Sequence, residues 1–322
     1  MSFQIIGTGM CVPERIVTND ELSQLVETSD EWISQRVGVR SRHICTAETT
    51  ADLAVSAALR ALDDCGIRAQ ELDLILAATV SGDTATPSLS CVIQKRLGVR
   101  CMAIDISAAC SAFVFLLETA ACFFARGGKS HGDYQNILVV GAERLSRITD
   151  WEDRSTCVIF GDGAGAAVLT RGENYLDAVF TVTGDEEALR VPNYAGKSPF
   201  STLAPEPPYI RMSGQEVYRY AVQSMAQDIG TLLTRNGLTA DRLKYIIPHQ
   251  ANRRIIEAAA ERAGIEIGKF IINIDRYGNT SSASIPIALD ELNKAGALEK
   301  GDLLLLTAFG GGLASASCLL RW

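Results

Sequence analysis

The sequence predicts an α/β protein made of two matching halves, and three features carry that expectation. LDLILAATV (72–80), NILVVGAE (136–143), LKYIIPH (243–249) and DLLLLTAFG (302–310) are strand-length runs that are apolar almost throughout. Runs of that kind mark strands covered on both faces, which favours buried and largely parallel sheets. Between them lie stretches with helical periodicity, at Thr50–Cys65, Ser88–Leu97, Gly214–Asn236 and Arg253–Ala263. The third feature is a weak internal repeat. Ile104-Asp105, a turn of small residues, a helix, NILVVGAE and GDGAGAAVL form one series. Ile274-Asp275, a small-residue turn, a helix, DLLLLTAFG and GGGLASASCLL form a second about 170 residues later. A duplicated α/β unit with a pseudo-two-fold axis is therefore expected, with halves at 1–172 and 173–322. Residues 184–213 carry five of the nine prolines (192, 199, 205, 207 and 208) and read as an irregular surface excursion that covers a pocket.

The balance of residues excludes several classes of function. With 47% hydrophobic and 21% charged residues, the chain has the composition of a globular protein with a substantial core. A net charge of −8 argues against general affinity for nucleic acid or an anionic membrane, so an acidic partner must dock on a local basic patch. No charge-free apolar run of about 18 residues is present, so no membrane span is expected. The opening MSFQIIGTGM has neither the charged n-region nor the long apolar h-region of a secretory signal, which points to the cytoplasm. The nine cysteines (11, 45, 65, 91, 101, 110, 122, 157 and 318) are odd in number, scattered and without a CxxC pair. Reduced thiols are expected rather than a disulfide framework or a metal site.

Chemistry concentrates around Cys110. Met102–Ile106 is a short apolar run, small residues follow, and an apolar segment of helical length begins just after the cysteine. That pattern places Cys110 at a strand-to-helix turn, where unpaired N–H groups and the helix dipole favour negative charge. A thiol there can have its pKa lowered from ~8.5 into the ~3.5–7.5 range and act as a nucleophile. Ala108, Ala109, Ser111 and Ala112 leave room for a bulky acyl group. The alternative is one more buried structural cysteine.

Three histidines are candidate partners. His43 lies in the basic, loop-like RSRHIC, and His131 lies in the turn-rich GGKSHGDY. His249 follows KYIIP and precedes the amphipathic ANRRIIEAAAERAG, at the carboxyl end of a strand and the amino end of a helix. A positive dipole end there keeps the imidazole neutral and able to donate, and a capping or core role is the alternative. Asn279 opens the turn of the second repeat at roughly the place Cys110 holds in the first. It either caps the helix SSASIPIALDELNKAG or supplies a second donor for negative charge on a thioester oxygen. GDGAGA (161–166) and FGGGLAS (309–315) lack nucleotide-binding form and read as tight turns, with Gly311 able to offer an N–H beside Cys110.

DISAACSAF around Cys110, PHQANRRI around His249, DRYGNTSSAS around Asn279, FGDGAGAAVL, AFGGG and the early TSDEWISQRVGVRSRH resemble the β-ketoacyl-acyl carrier protein synthase III family. The resemblance runs from about residue 3 to 322 with motif order preserved. It implies a thiolase-like fold, with duplicated βαβαβαββ halves layered α-β-α-β-α, and a homodimer. It also implies decarboxylative condensation of an acyl-CoA starter with malonyl-acyl carrier protein through an acyl-Cys110 intermediate, initiating fatty acid synthesis. His249 and Asn279 then hold the enolate-like charge, and the N–H groups of Cys110 and Gly311 form the oxyanion hole. No permanently bound cofactor and no metal are implied, because decarboxylation supplies the carbanion without a strong base.

By the same resemblance Trp32 stacks on the CoA adenine, Arg36 and Arg154 contact the nucleotide end, and Asn252 lines the channel. Trp32 as a helix-face anchor and the two arginines as solvated charges are the alternatives read from the residues alone. Arg254, helped by Arg219 and Arg262, is implied to grip the acyl carrier protein. Glu261 stands where relatives can carry a second basic residue. In GDTATPSLSCVIQ, Thr86 occupies a position that is often aromatic in bacterial members and reaches across the dimer to the acyl pocket. A starter larger than acetyl becomes feasible there. A related condensing enzyme of specialised metabolism, loading an unusual acyl or aroyl group, is the competing reading. A papain-like hydrolase shares the Cys-His-Asn order but not the duplicated plan, and a thiolase would carry a second cysteine near the C-terminal glycines.

Overall fold

The computed structural model describes residues 2–126, 134–192, 199–200, 202, 204 and 206–322. The chain starts with β1 (Ser2–Cys11) and a small ribbon of β2 (Ile16–Thr18) with β3 (Ser41–His43). β4 (Leu74–Ala78), β5 (Met102–Asp105), β6 (Asn136–Arg144) and β7 (Asp162–Gly172) follow and join β1 in a sheet of order β1-β7-β6-β4-β5. β8 (Tyr175–Val182) leads, past a ribbon of β9 (Leu189–Arg190) with β10 (Arg211–Met212), into the second sheet. That sheet adds β11 (Tyr245–Pro248), β12 (Leu303–Gly310) and β13 (Ala314–Arg321) in the order β11-β12-β13-β8.

Written from the other edge, the second order is β8-β13-β12-β11, which matches β1-β7-β6-β4 strand for strand. The counterpart of β5 is reduced to one parallel bridge, Ile246 with Phe270. The buried Gln250 side chain replaces the missing ladder. Its amide donates to the carbonyls of Pro248 and Ile271, and its oxygen accepts from the N–H groups of Asn273 and Ile274.

Five layers result. Within each strand alternate residues face opposite sides, so Leu74 and Leu76 pack inward while Ile75 and Ala77 pack outward. Between the sheets lie the helices Ala112–Ala125 and Ser284–Lys294, both taken up in one core with the two inner faces. Thr50–Cys65 and Leu89–Leu97 cover the outside of the first sheet, and Gly214–Arg235 and Arg253–Ala263 cover the second. This is the thiolase-like α-β-α-β-α arrangement. Phe113, Leu116 and Leu117 on the central helix are fully buried, each contributing roughly 1.5–3 kcal/mol.

Two expectations are corrected. The sheets are mixed rather than largely parallel: β4 runs parallel to β5 and β6, and β11 to β12, but β7, β1, β13 and β8 join antiparallel. The continuous apolar runs reflect helices on both faces, a condition that antiparallel strands also meet here. GDGAGA is not a turn but the start of β7. A Cβ on Gly165 would come within 2.7 Å of Pro286 and 2.8 Å of the Ile287 nitrogen, so glycine lets the central helix lie directly on the strand. FGGGLAS does turn, at residues 311–313 between β12 and β13.

Candidate active site

Cys110 lies in a single 3-10 turn, Ala109–Ser111, between β5 and the central helix Ala112–Ala125. Ala109 has φ +47°, a left-handed conformation that costs energy for any residue with a Cβ. Ser281 has the same φ in the equivalent turn, Ser281–Ala283, ahead of the helix Ser284–Lys294. Ala109 and Ser281 therefore correspond across the repeat, and Ser282, not Asn279, holds the place of Cys110. The two turns pack against each other.

A cavity of about 1060 Å³ opens between the halves, lined among others by Cys110, His249, Asn279, Ser281, Gly310 and Gly311. Gly310, which the motifs alone do not single out, is the glycine packed on the nucleophile. A Cβ there would stand 2.8 Å from the Cys110 nitrogen and 3.2 Å from its Cβ. Gly311 follows on the cavity wall, beside Ala109.

His249 directly follows β11 and is 1% exposed. Burial pushes its pKa down to about 3, so the imidazole is neutral at neutral pH. The expected neutrality holds, but desolvation rather than a helix dipole causes it. Its Nδ1 lies 2.7 Å from the Ser284 hydroxyl, which also receives the Gln250 N–H at 3.4 Å. Among the described residues Nδ1 is the one acceptor that the Ser284 hydroxyl has for its proton, so the hydroxyl donates to Nδ1 and Nε2 carries the ring proton.

Asn279 is 6% exposed and is fixed by its backbone to Ile159 and Gly161. Its Oδ1 accepts the Ser281 N–H at 2.8 Å, which identifies the oxygen and leaves the amide NH₂ as the free donor. The long helix Ser284–Lys294 has no side-chain cap, so Asn279 does not serve as one.

The thiol departs from expectation. Burial raises the Cys110 pKa to about 12, with Glu143 adding to the rise; the Ser281 hydroxyl and the cysteine's own N–H oppose it. Packed between the two halves, the sulfur loses more from desolvation than it gains at the helix N-terminus. Glu143 is itself wholly buried at the end of β6 and accepts from Thr79, Val80 N–H and Ser81 on Oε2 and from Ser282 on Oε1. A charged residue closing the apolar NILVVGAE is the signal in the sequence that could have found it.

The remaining candidates lie in two places: Trp32, Arg36 and Arg154 do not line the cavity, although their chain neighbours Val37 and Ser155 do, and three arginines stand on a helix face. Trp32 is half-buried with the Arg154 guanidinium 4.9 Å above its ring, and Arg154 also donates to the Glu27 carbonyl. Asn252 lines the cavity, caps the helix Arg253–Ala263 through Arg254 N–H, and donates to the carbonyl of the exposed Arg36. Arg254 and Arg262 are exposed on that helix, and Arg219 is exposed on Gly214–Arg235, which packs beside it. Thr86 is exposed and does not line this cavity, although Thr84 and Ala85 do. In the proline-rich excursion Leu189–Pro192, Pro208, Ile210 and Met212 form one wall. His43 is committed to the Pro13 carbonyl and stacks on Tyr277, while His131 lies outside the described residues. Among the described residues no group of three or more His, Cys, Asp or Glu is arranged to hold a metal, and no helix is long and apolar enough to cross a membrane.

Residues 104–184 match the family model for 3-oxoacyl-[acyl-carrier-protein] synthase III, and residues 233–322 match the model for its C-terminal part. A β-ketoacyl-[acyl-carrier-protein] synthase III of Clostridium acetobutylicum is 45% identical over 100% of this chain and 99% of its own length. The crystal structure of the 3-oxoacyl-[acyl-carrier-protein] synthase III of Aquifex aeolicus superposes with a TM-score of 0.91 at 44% identity, covering 99% of this chain and 100% of that one. The priming β-ketosynthase of the R1128 polyketide pathway superposes at 0.90 with 33% identity, over 99% and 96% of the two chains.

Proposed function

The chain belongs to the 3-oxoacyl-[acyl-carrier-protein] synthase III family, and we propose that it works through Cys110, His249 and Asn279. It is an acyltransferase that condenses an acyl-CoA starter with malonyl-acyl carrier protein and so initiates fatty acid synthesis. The observation that supports the residue roles is the convergence on one cavity of a thiol and two oriented neutral donors.

Cys110 sulfur attacks the thioester carbonyl, CoA leaves as the thiol, and the acyl group stays on the enzyme. Malonyl-acyl carrier protein then loses carbon dioxide. The electron pair released is held as an enolate by Nε2–H of His249 and the NH₂ of Asn279, and its carbon attacks acyl-Cys110. A neutral histidine donates throughout without consuming a proton. The N–H groups of Cys110 and Gly311 cradle the tetrahedral oxygen. No residue has to remove a C–H proton.

The nucleotide end of CoA fits at Trp32, Arg36 and Arg154, where Arg154 now covers the ring face that an adenine would take. Arg254, Arg219 and Arg262 offer the local basic surface that an acidic carrier protein needs on a chain of net charge −8. A homodimer is favoured by β5, an open sheet edge with Met102 44% exposed, and the cytoplasm is the fitting compartment. The division at 172/173 assigns the nucleophile to one half and both donors to the other.

Intact mass after incubation with acyl-CoAs tests the assignment. Cys110→Ala should take up no acyl group. His249→Ala and Asn279→Ala should acylate and then fail to condense, and full condensation by either would refute its role.

A further inference from the structure

We propose that Arg42 is a positioning residue for Asn279, its buried guanidinium fixing the segment 158–161 to which the Asn279 backbone is hydrogen-bonded. The inference rests on Asn279 being a donor to the enolate and adds what holds that donor in place.

Arg42 belongs to β3 and is 0% exposed, one of the largest side chains in the molecule to be wholly enclosed. A guanidinium stays charged in a protein, and enclosing one away from water is costly. No acid offsets that cost through a hydrogen bond among the described residues. Nη1 donates to the Val17 carbonyl at 3.3 Å, Nη2 donates to the Val158 carbonyl at 3.0 Å, and Nε has no partner there. The first bond closes on the neighbouring strand of the ribbon. The second reaches 116 residues along the chain, to a turn whose next residues, Ile159 and Phe160, line the cavity.

That turn carries Asn279. The Ile159 carbonyl accepts the Asn279 N–H at 2.9 Å, and the Asn279 carbonyl accepts the Gly161 N–H at 3.0 Å, so Phe160 and Asn279 form a single parallel bridge. The Arg42 stem lies against the glycines on either side of it. A Cβ on Gly161 would stand 3.2 Å from that of Arg42, and one on Gly278 would stand 3.4 Å from it. The ribbon grips the Asn279 side as well, since the Arg40 N–H donates to the Asp275 carbonyl at 2.9 Å and His43 stacks on Tyr277. Arg42 itself does not line the cavity, so its effect on the reaction passes through what it holds.

The other two groups of the site are held by different means. The His249 N–H donates to the Thr307 carbonyl and its ring is engaged by Ser284, while Cys110 sits in its own turn against Gly310. Without the guanidinium the carbonyl of the buried Val158 loses its donor, and the turn must shift to find another. That shift carries the Ile159 carbonyl and the Asn279 amide with it, while the thiol and the imidazole keep their places. Misplacing such a group by about 1 Å costs on the order of 10²-fold in rate.

The test compares Arg42→Met and Arg42→Lys with the parent in two half-reactions, acetylation of Cys110 by acetyl-CoA and decarboxylation of malonyl-acyl carrier protein. Methionine keeps much of the apolar stem and removes both donors, whereas lysine keeps a cation that can serve one carbonyl. Arg42→Met should decarboxylate about 10²-fold more slowly, approaching Asn279→Ala, and acetylate within about 2-fold of the parent. Arg42→Lys should fall between the two. Added to Asn279→Ala, Arg42→Met should cost no further decarboxylation, because the donor it positions is already gone. Parent-like decarboxylation by Arg42→Met would overturn the proposal, as would full additivity with Asn279→Ala. Equal losses of acetylation and decarboxylation in both Arg42 variants would also overturn it and mark the arginine as merely structural. If Asn279→Ala itself decarboxylates like the parent, the donor assignment fails and Arg42 has nothing to position.

Discussion

Ser284 Oγ stands 2.7 Å from His249 Nδ1, and this one contact decides which imidazole nitrogen faces the cavity as a donor. Because the buried Ser284 hydroxyl has no other acceptor among the described residues, the serine proton goes to Nδ1 and Nε2 keeps its hydrogen. With the histidine pKa pushed down to about 3, protonation cannot supply the missing hydrogen at neutral pH. Ser284→Ala should therefore release the tautomer, cutting condensation roughly 10-fold while Cys110 acylation stays near the parent rate. ¹⁵N chemical shifts of His249 report the tautomer directly, and an unchanged Nε2–H population in the variant would refute this role.

Charge reversal at Arg254 separates docking from chemistry. The side chain is exposed beside the cavity residue Asn252, so Arg254→Glu should raise KM for malonyl-acyl carrier protein several-fold and leave acylation by acyl-CoA intact. The effect should shrink as salt rises and the Debye length falls from about 10 Å at 0.1 M toward 3 Å at 1 M. Equal losses in both half-reactions would move Arg254 to the CoA side.

A second buried acid lies away from the cavity. Asp228 on Gly214–Arg235 faces β13, accepts from Ser317 at 3.2 Å, and has neighbours Tyr220 and Ser315 whose hydroxyls lack well-formed partners. Burial raises its pKa to about 6. The folded state thus binds the proton more readily than the unfolded chain, whose Asp titrates near ~3.9. Asp228 destabilises the fold above pH 6, and that penalty fades as pH falls toward 4. Asp228→Asn should stabilise the protein by about 1–3 kcal/mol at pH 8, by roughly half as much at pH 5 and by little at pH 4 or below, read from urea unfolding. Lower stability of the variant at pH 8 would show that the carboxylate is well compensated.

How far the sequence discloses this site depends on which interactions are local. Cys110 is legible because the small residues around it, the apolar run before it and the helix after it all lie in one short segment. His249 is legible because strand end and helix start flank it. Glu143 and Ser284 are not, because their partners lie 34 to 139 residues away and no local pattern couples them. The raised pKa of the thiol is hidden for a related reason: a helix start can be read from spacing, whereas the packing that desolvates the sulfur cannot. The β7 glycines are misleading in the same way, their cause being a helix more than 100 residues onward. Strand direction also escapes, since an apolar run records cover on both faces and not the direction of its neighbour.

We propose that Thr86 sets the choice of starter unit. It is exposed in the single chain, while Thr84 and Ala85 before it reach the cavity wall, so a side chain at 86 is available to a second copy. Where an aromatic ring would fill the end of an acyl pocket, threonine leaves several methylenes of room and a partly apolar wall. An apolar pocket gains roughly 0.8 kcal/mol per buried methylene, so a chain three carbons longer gains about 2 kcal/mol, close to a 30-fold preference. Isobutyryl- and hexanoyl-CoA should thus load Cys110 at least as well as acetyl-CoA, and Thr86→Phe should return the preference to acetyl. Competition among the three CoA esters, read by intact mass on both proteins, decides it. A parent that loads acetyl alone, with no change in Thr86→Phe, would mean that other side chains close the pocket.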